Sequence, residues 1–342
     1  MQRAKSTPLV FGVHGQRYDL AMSALYFRMN LDEAVSMADY DELRDTGFAE
    51  NLPVFVRHTA RGVPVAGVTA DYFRFRNLTT AAGRLPAMLG EAALGSNIAG
   101  RLQMGVGDCI LSDQSDLYNL AAAYPLRMTI VGVLASTNSA DDEAIFCDIK
   151  TAWVIAGIGH GHNDLSKPGE AGNVLSRKGG NIVGNENVAT FVEITDDNRA
   201  SFHFHAERDG LPVTCIICVP KDDKSATLLR GRYKLSKTRQ FIVPTEVVDE
   251  ILAMLFKVEA FLQASFAMVA LCTSLLVALI VLLTIRLRWD EMDTLHKIGC
   301  SRRFVAGMQV AEWCCILFAS LLLATVIIVV TLWTAPNLQH ML

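Results

Sequence analysis

Hydrophobic positions change character along this chain. Through most of its length they form short runs broken by turn residues, and near the end they fuse into two long apolar stretches. Residues 54–58 and 63–68 are rich in valine and read as strands. The spacing of Leu94, Ile98 and Leu102 predicts a helix over residues 90–102. Gly105, Val106, Gly107 and Asp108 form a turn that leads into a strand at Cys109, Ile110 and Leu111. Further strands are expected at residues 128–134, 144–149, 191–194 and 212–219, and residues 161–190, rich in Gly, Asn, Ser and Lys, read as a long loop. Residues 1–245 therefore predict an α+β domain with mixed or antiparallel pairing.

The pattern switches at Pro244. Thr245 can cap a helix there, and Glu246, Asp249 and Glu250 suit the positive end of its dipole. No breaker follows for some forty residues, so one helix is expected from about 246 to about 289, its first turns (Ile251, Leu255, Val258) forming a stalk. Residues 260–285 carry no charge. At 1.5 Å per residue they reach about 39 Å, enough for a bilayer core of about 30 Å. A second stretch, residues 304–333, has Glu312 as its single charge. One such run could be the core helix of a soluble protein, but two in succession point to membrane helices at about 260–287 and 304–333. Residues 246–342 thus form a stalk plus a membrane region.

The loop between these helices, about 288–303, is flanked and filled by Arg286, Arg288, Lys297, Arg302 and Arg303, whereas no Lys or Arg follows Trp333. The positive-inside rule puts the loop in the cytoplasm and residues 1–255 outside. Residues 1–17 hold no signal peptide, so a preceding membrane helix is expected to export the domain. Within the loop, residues 290–298 suit a short amphipathic helix with Met292, Leu295 and Ile298 on one face. Gly299 can terminate it and Ser301 can cap the next helix. Such a helix is shaped to dock on a partner; an ordinary tight connection is the plainer alternative.

Charge and candidate chemistry narrow the options. Of 342 residues 51% are hydrophobic and 19% charged, and the net charge of −4 offers no basic surface for nucleic acid. Eight cysteines are too scattered for a disulfide framework. Cys215 and Cys218 form a C-x-x-C inside a strand-like run, where positions i and i+3 face opposite ways, which favours two structural thiols over a redox pair. His160 with His162, and His203 with His205, are i, i+2 pairs that share a strand face and are candidate zinc ligands. Nothing in the spacing brings the two pairs together, and surface or hydrogen-bonded histidines are the commoner arrangement. Glu312, about two turns into an apolar helix, is either functional or close enough to the interface to be hydrated or paired with Arg302 or Arg303. Asp141, Asp142 and Glu143 read as a solvated acidic turn. No G-x-x-x-x-G-K-[ST], H-E-x-x-H or Ser-His-Asp pattern stands out, so no ATPase or hydrolase is expected in the chain itself.

The order Glu291, Leu295, Ile298-Gly299, Arg302-Arg303 and then Glu312 resembles the loop between the second and third membrane helices of FtsX-like permeases. The upstream domain resembles the MacB-like periplasmic core, through Gly90-Glu91, Leu94-Gly95, Ala99, Leu102, Gly105, Gly107-Asp108 and Ile130-Val131-Gly132-Val133, with residues 8–15 similar to its start. This resemblance implies the membrane subunit of an inner-membrane ABC transporter, not itself an enzyme, working with a separate cytoplasmic ATPase that binds the ATP. It also implies a homodimer or paired permease and, in some relatives, a periplasmic partner. Glu291, Leu295, Ile298, Gly299, Arg302 and Arg303 would form the ATPase-coupling loop. The family has four membrane helices, so the first and last are expected to be missing from this sequence. The alternative reading is a membrane-anchored extracytoplasmic binding or sensing module, with zinc held by the histidine pairs.

Overall fold

The computed structural model describes residues 2–28, 31, 33–114, 125–160, 174–178, 181–184, 192–204 and 206–338. They fall into two compact units, Met1–Met254 and Leu255–Leu342. In chain order the first unit contains α1 (Gln2–Lys5), β1 (Leu9–Val13), α2 (Arg17–Tyr26), β2 (Val35–Ser36), α3 (Met37–Thr46), β3 (Ala49–Ala60), β4 (Val63–Val68), α4 (Ala70–Phe75), β5 (Thr80–Gly83), β6 (Glu91–Leu94), α5 (Ser96–Leu102), β7 (Cys109–Leu111) and β8 (Leu126–Leu134). It continues with β9 (Ile145–Asp148), α6 (Ile149–Ile155), β10 (Gly159–His160), β11 (Val174–Lys178), β12 (Asn181–Gly184), β13 (Val192–Glu193), β14 (His203–Phe204), β15 (Pro212–Val213), β16 (Cys215–Pro220), α7 (Asp223–Tyr233) and β17 (Arg239–Ile242). The chain then runs through α8 (Pro244–Leu287), α9 (Trp289–Lys297) and α10 (Arg302–Leu338).

Among the described residues, one large sheet runs β13-β8-β6-β9-β4-β3-β16-β1-β17, with β5 and β7 also paired to β8. It is mixed: β4 with β9, β6 with β8 and β13 with β8 are parallel, and its other pairs are antiparallel. Strand alternation sorts its side chains into two apolar layers. Phe11, Phe55, Ile130 and Ile216 face one layer, which α3, α5, α6 and α7 cover with Leu43, Ile98, Trp153 and Leu229. Val10, Leu52, Phe146 and Ile217 face the other, covered by Leu20 and Ala24 of α2, Tyr72 and Phe73 of α4 and Val247 of α8. Cys218 and Cys215 divide between the layers in the same way. Burial pushes the Cys215 thiol up to about 12, and no cysteine forms a disulfide among the described residues, so these are packed thiols.

The structure differs from three sequence expectations. Residues 90–102 are not one helix: β6 occupies Glu91–Leu94, flanked by β8 and β9, and α5 begins only at Ser96. Ala92, Ala93 and Leu94 are buried whichever face they point to, so the alternation that marks a half-exposed strand is absent. Within residues 161–190, Val174–Lys178 and Asn181–Gly184 pair as an antiparallel hairpin; the remainder lies outside the described residues. The third difference is the acidic turn at 141–143. Asp141 and Asp142 are buried, not solvated, because Arg3 and Tyr72 bond to Asp141 while the backbone N–H and hydroxyl of Thr137 bond to Asp142.

Two close contacts fix the sheet's far side. A Cβ at Gly132, opposite Gly83 on β5, would lie 2.1 Å from the Arg84 carbonyl oxygen. Glu91, at the start of β6, accepts bonds from the Arg84 guanidinium and from the Ala87 and Met88 N–H groups. Burial alone would raise its carboxyl, but these donors outweigh burial and hold it at about 2.

Candidate functional site

The root of α8 is built from sequence signals at its first turn. Pro244 fixes the entry angle without wasting a helical donor, and both Pro244 and Val247 are buried. Val247 has no exposed surface and belongs to the apolar layer that contains Leu20, Ala24 and Ile242, with Ile251 packed at its margin. Two ion pairs flank this seat: Arg17 to Glu250 at 3.1 Å and Arg230 to Glu246 at 3.5 Å. Tyr18 donates a further hydrogen bond to Glu250. Acidic residues in the first turn therefore do more than complement the helix dipole: they tie α8 to α2 and α7.

From Leu255 onward nearly all the apolar residues of α8 are exposed, among them Phe261, Val269, Leu275 and Leu282. Phe304, Ile316, Phe318, Leu323 and Val329 are likewise exposed on α10. α8 and α10 both have the length and composition to cross a membrane, and a helix apolar all round fits lipid better than water.

The expected loop helix is α9. It ends in a Schellman motif: Cys300 N–H bonds to Leu295 O, Gly299 N–H bonds to His296 O, and Gly299 takes φ +110°. Ser301 Oγ accepts from Phe304 N–H, capping α10 as anticipated. Met292 and Leu295 are half-buried, while Ile298, Arg302 and Arg303 are exposed. A cavity of about 370 Å³ lies between α9 and the start of α10, lined by Trp289, Met292, Asp293, His296, Arg302 and Val305.

Glu312 is paired, but with neither of the arginines expected from sequence. Arg288 Nη1 donates to Glu312 Oε2 at 2.6 Å, and its Nε donates to Glu291 at 3.2 Å. Arg288 sits in the break between α8 and α9, where its side chain can reach back along α10. Arg302 and Arg303 make no ion pair among the described residues. The signal missed was a cation at the helix break that could serve two carboxylates at once.

The histidine pairs are partly described. β10 and β14 pair antiparallel with His160 directly opposite His203, so one member of each pair is brought to the same rung. His203 Nδ1 lies 3.1 Å from Ser201 O. His162 and His205 lie outside the described residues. Among the described residues no group of three or more His, Cys, Asp or Glu is arranged to hold a metal ion.

The family described as MacB-like periplasmic core domain matches residues 11–195. No curated protein matches the chain. Among solved structures, the periplasmic region of MacB from Actinobacillus actinomycetemcomitans is similar at 10% identity, covering 73% of this chain and 96% of its own, with a TM-score of 0.41. The extracellular domain of the noncanonic ABC-type transporter YknZ from Gram-positive bacteria is similar at 10% identity, covering 69% and 98%, with a TM-score of 0.37.

Proposed function

We propose that this chain, which belongs to the MacB-like periplasmic core domain family of ABC transporter permeases, carries ATP-driven motion from a separate cytoplasmic ATPase to its extracytoplasmic domain. It is a membrane protein with an extracytoplasmic MacB-like domain. The observation that carries the finer reading is the continuity of α8. Its 44 residues begin among core side chains of the sheet domain and end at the basic loop that holds α9. At 1.5 Å per residue that is about 66 Å of unbroken helix. A continuous helix can carry displacement along its axis because a sharp bend would cost backbone hydrogen bonds.

In this reading α9 is the coupling element. Glu291, Leu295, Ile298 and Gly299 shape the surface that meets the ATPase, and Arg302 and Arg303 remain available for acidic groups on it. The Arg288 bonds to Glu291 and Glu312 fix how α9 leaves α8, so a push on α9 moves the helices instead of unravelling the turn. The chain hydrolyses no ATP itself; it works as a pair of permease subunits, in the inner or plasma membrane, for export, lipoprotein release or activation of a periplasmic partner. The test is co-purification in detergent of the full-length protein with the ABC ATPase encoded beside it. Leu295→Glu with Ile298→Glu should lose the ATPase while leaving the sheet domain folded. Equal retention by wild type and the double variant would refute the coupling role.

A second reading, a membrane-anchored zinc-binding module, draws on the placement of His160 opposite His203. It requires stoichiometric zinc uptake by the full chain that His203→Ala removes; equilibrium dialysis decides it.

A further inference from the structure

The buried acid Asp141 belongs to a polar cluster that the transport reading does not use. Arg3 of α1, with 8% of its side chain exposed, forms a two-pronged ion pair with Asp141 and also donates to Tyr72 Oη at 2.9 Å. Tyr72 in turn donates to Asp141 at 3.0 Å. Burial pushes the Tyr72 hydroxyl up to about 12, so it is neutral at physiological pH. Arg76, beside them, donates to Ser6 Oγ at 3.0 Å and Thr7 Oγ1 at 2.8 Å, interacts with the Tyr72 hydroxyl, and stacks on the Phe75 ring at 4.7 Å. Among the described residues no carboxylate lies within ion-pair distance of Arg76, and Asp141 acts on it only from farther off. Arg3 and Arg76 each keep a buried Nε–H without a hydrogen-bond partner there.

These groups line an open cavity of about 480 Å³, whose wall includes Gln2, Arg3, Ser6, Arg76, Asn138 and Asp141. Two guanidinium groups face one carboxylate, so the wall carries an excess positive charge in a partly desolvated setting. An arginine fork held in place by stacking and hydroxyl bonds is preorganised for a planar or tetrahedral oxyanion. Asn138, exposed and in a left-handed turn with φ +51°, also lines this cavity. A guanidinium stripped of part of its hydration is stabilised by an anion that water alone does not replace.

We propose that this cavity binds a phosphate group, with Arg76 as its principal cation and Arg3 as the cation shared with Asp141. A free phosphate and the phosphate of a lipid headgroup offer the same chemistry. The test is calorimetric titration of inorganic phosphate into the full chain in dodecyl maltoside, at constant ionic strength with chloride as the balancing anion. Saturable binding is expected, lost in Arg76→Gln. Because Arg76 also holds Ser6 and Thr7, Asn138→Asp is the second variant: Asp tolerates φ near +51° as Asn does, and it places a like charge at the mouth without disturbing the core. It should weaken binding by about tenfold or more. The same titration in phosphatidylglycerol nanodiscs separates the sources. Binding retained there assigns the site to a free phosphate, and binding blocked there, while present in detergent, assigns it to the headgroup. Absence of saturable binding in wild type, or equal affinity in wild type and both variants, overturns the proposal.

Discussion

Shaving Val247 to alanine should loosen the base of α8 more than removing both of its flanking ion pairs. The side chain has no exposed surface in the apolar layer against which α2 packs. Deleting two buried methyl groups costs about 0.8 kcal/mol per carbon in transfer, about 1.6 kcal/mol together, and the partly unrelaxed cavity brings the total to as much as about 2.5 kcal/mol. The pairs Arg17–Glu250 and Arg230–Glu246 are each 40–53% exposed on both sides. Such pairs contribute about 0–1 kcal/mol each, and less in salt. Hydrogen exchange of the peptide covering residues 244–254, in the full chain in nanodiscs, reports this local opening directly. A tenfold change in exchange corresponds to about 1.4 kcal/mol. Val247→Ala should therefore accelerate exchange about fifteen- to sixtyfold, and Glu246→Gln with Glu250→Gln, at about 0.5 kcal/mol per exposed pair, by about fivefold. If the double glutamine variant opened this segment more than Val247→Ala, the root would be electrostatic and the reasoning from burial would fail.

Other perturbations probe separate contacts. Glu91→Gln should destabilise the sheet domain at neutral pH by up to about 3 kcal/mol, less because Arg84 is half exposed. The folded carboxyl, at about 2, lies below its unfolded value of 4.5, so this stability is present above about pH 4.5 and lost as pH falls toward 2. Thermal melts at pH 7 and pH 3 should show the gap between variant and wild type closing, and a gap independent of pH would count against the Arg84 pairing. Gly132→Ala should cost upwards of about 2 kcal/mol because its Cβ meets the Arg84 carbonyl. Gly231→Ala, in α7 with nothing within 4 Å, should instead stabilise by about 0.5–1 kcal/mol; opposite signs in one melting series check the packing argument. Arg288→Glu should weaken retention of the ATPase, and adding Glu312→Arg should restore part of it; a double variant worse than the sum of its parts would deny the direct pair.

The long helices and the caps of α9 and α10 were legible because their signals are local. Uncharged length, Gly299 and Ser301 act within a few residues of where they are written. β6 was not legible, because burial on both faces erases the alternation that marks a strand, and the i, i+4 spacing of Leu94 and Ile98 spans a strand–helix junction. α2, α3 and α7 went unassigned although Ser36 and Asp39 form a capping box and Asp222 caps α7. A capping pattern at the start of a largely polar helix carries little apolar periodicity to support it. Asp141 shows the same limit from the other side: its partners Arg3 and Tyr72 are distant in sequence, and only tertiary structure turns an acidic turn into a buried cluster. The partner of Glu312 was misassigned because helix breaks, which decide where Arg288 points, are not written in charge spacing alone.

The position of β1 in the sheet has a consequence for biogenesis. Leu9–Val13 lies between β16 and β17, whose residues come more than two hundred positions later. During synthesis the first strand must wait, unpaired at both edges, until nearly the whole domain has emerged on its side of the membrane. Pairings so distant in sequence form slowly, and waiting edges invite wrong partners. The strand that completes this pairing, β17, ends two residues before α8 begins. The seat of α8 thus takes shape only when the last strand has closed over the first, so a domain that stalls midway offers the membrane helix no firm base.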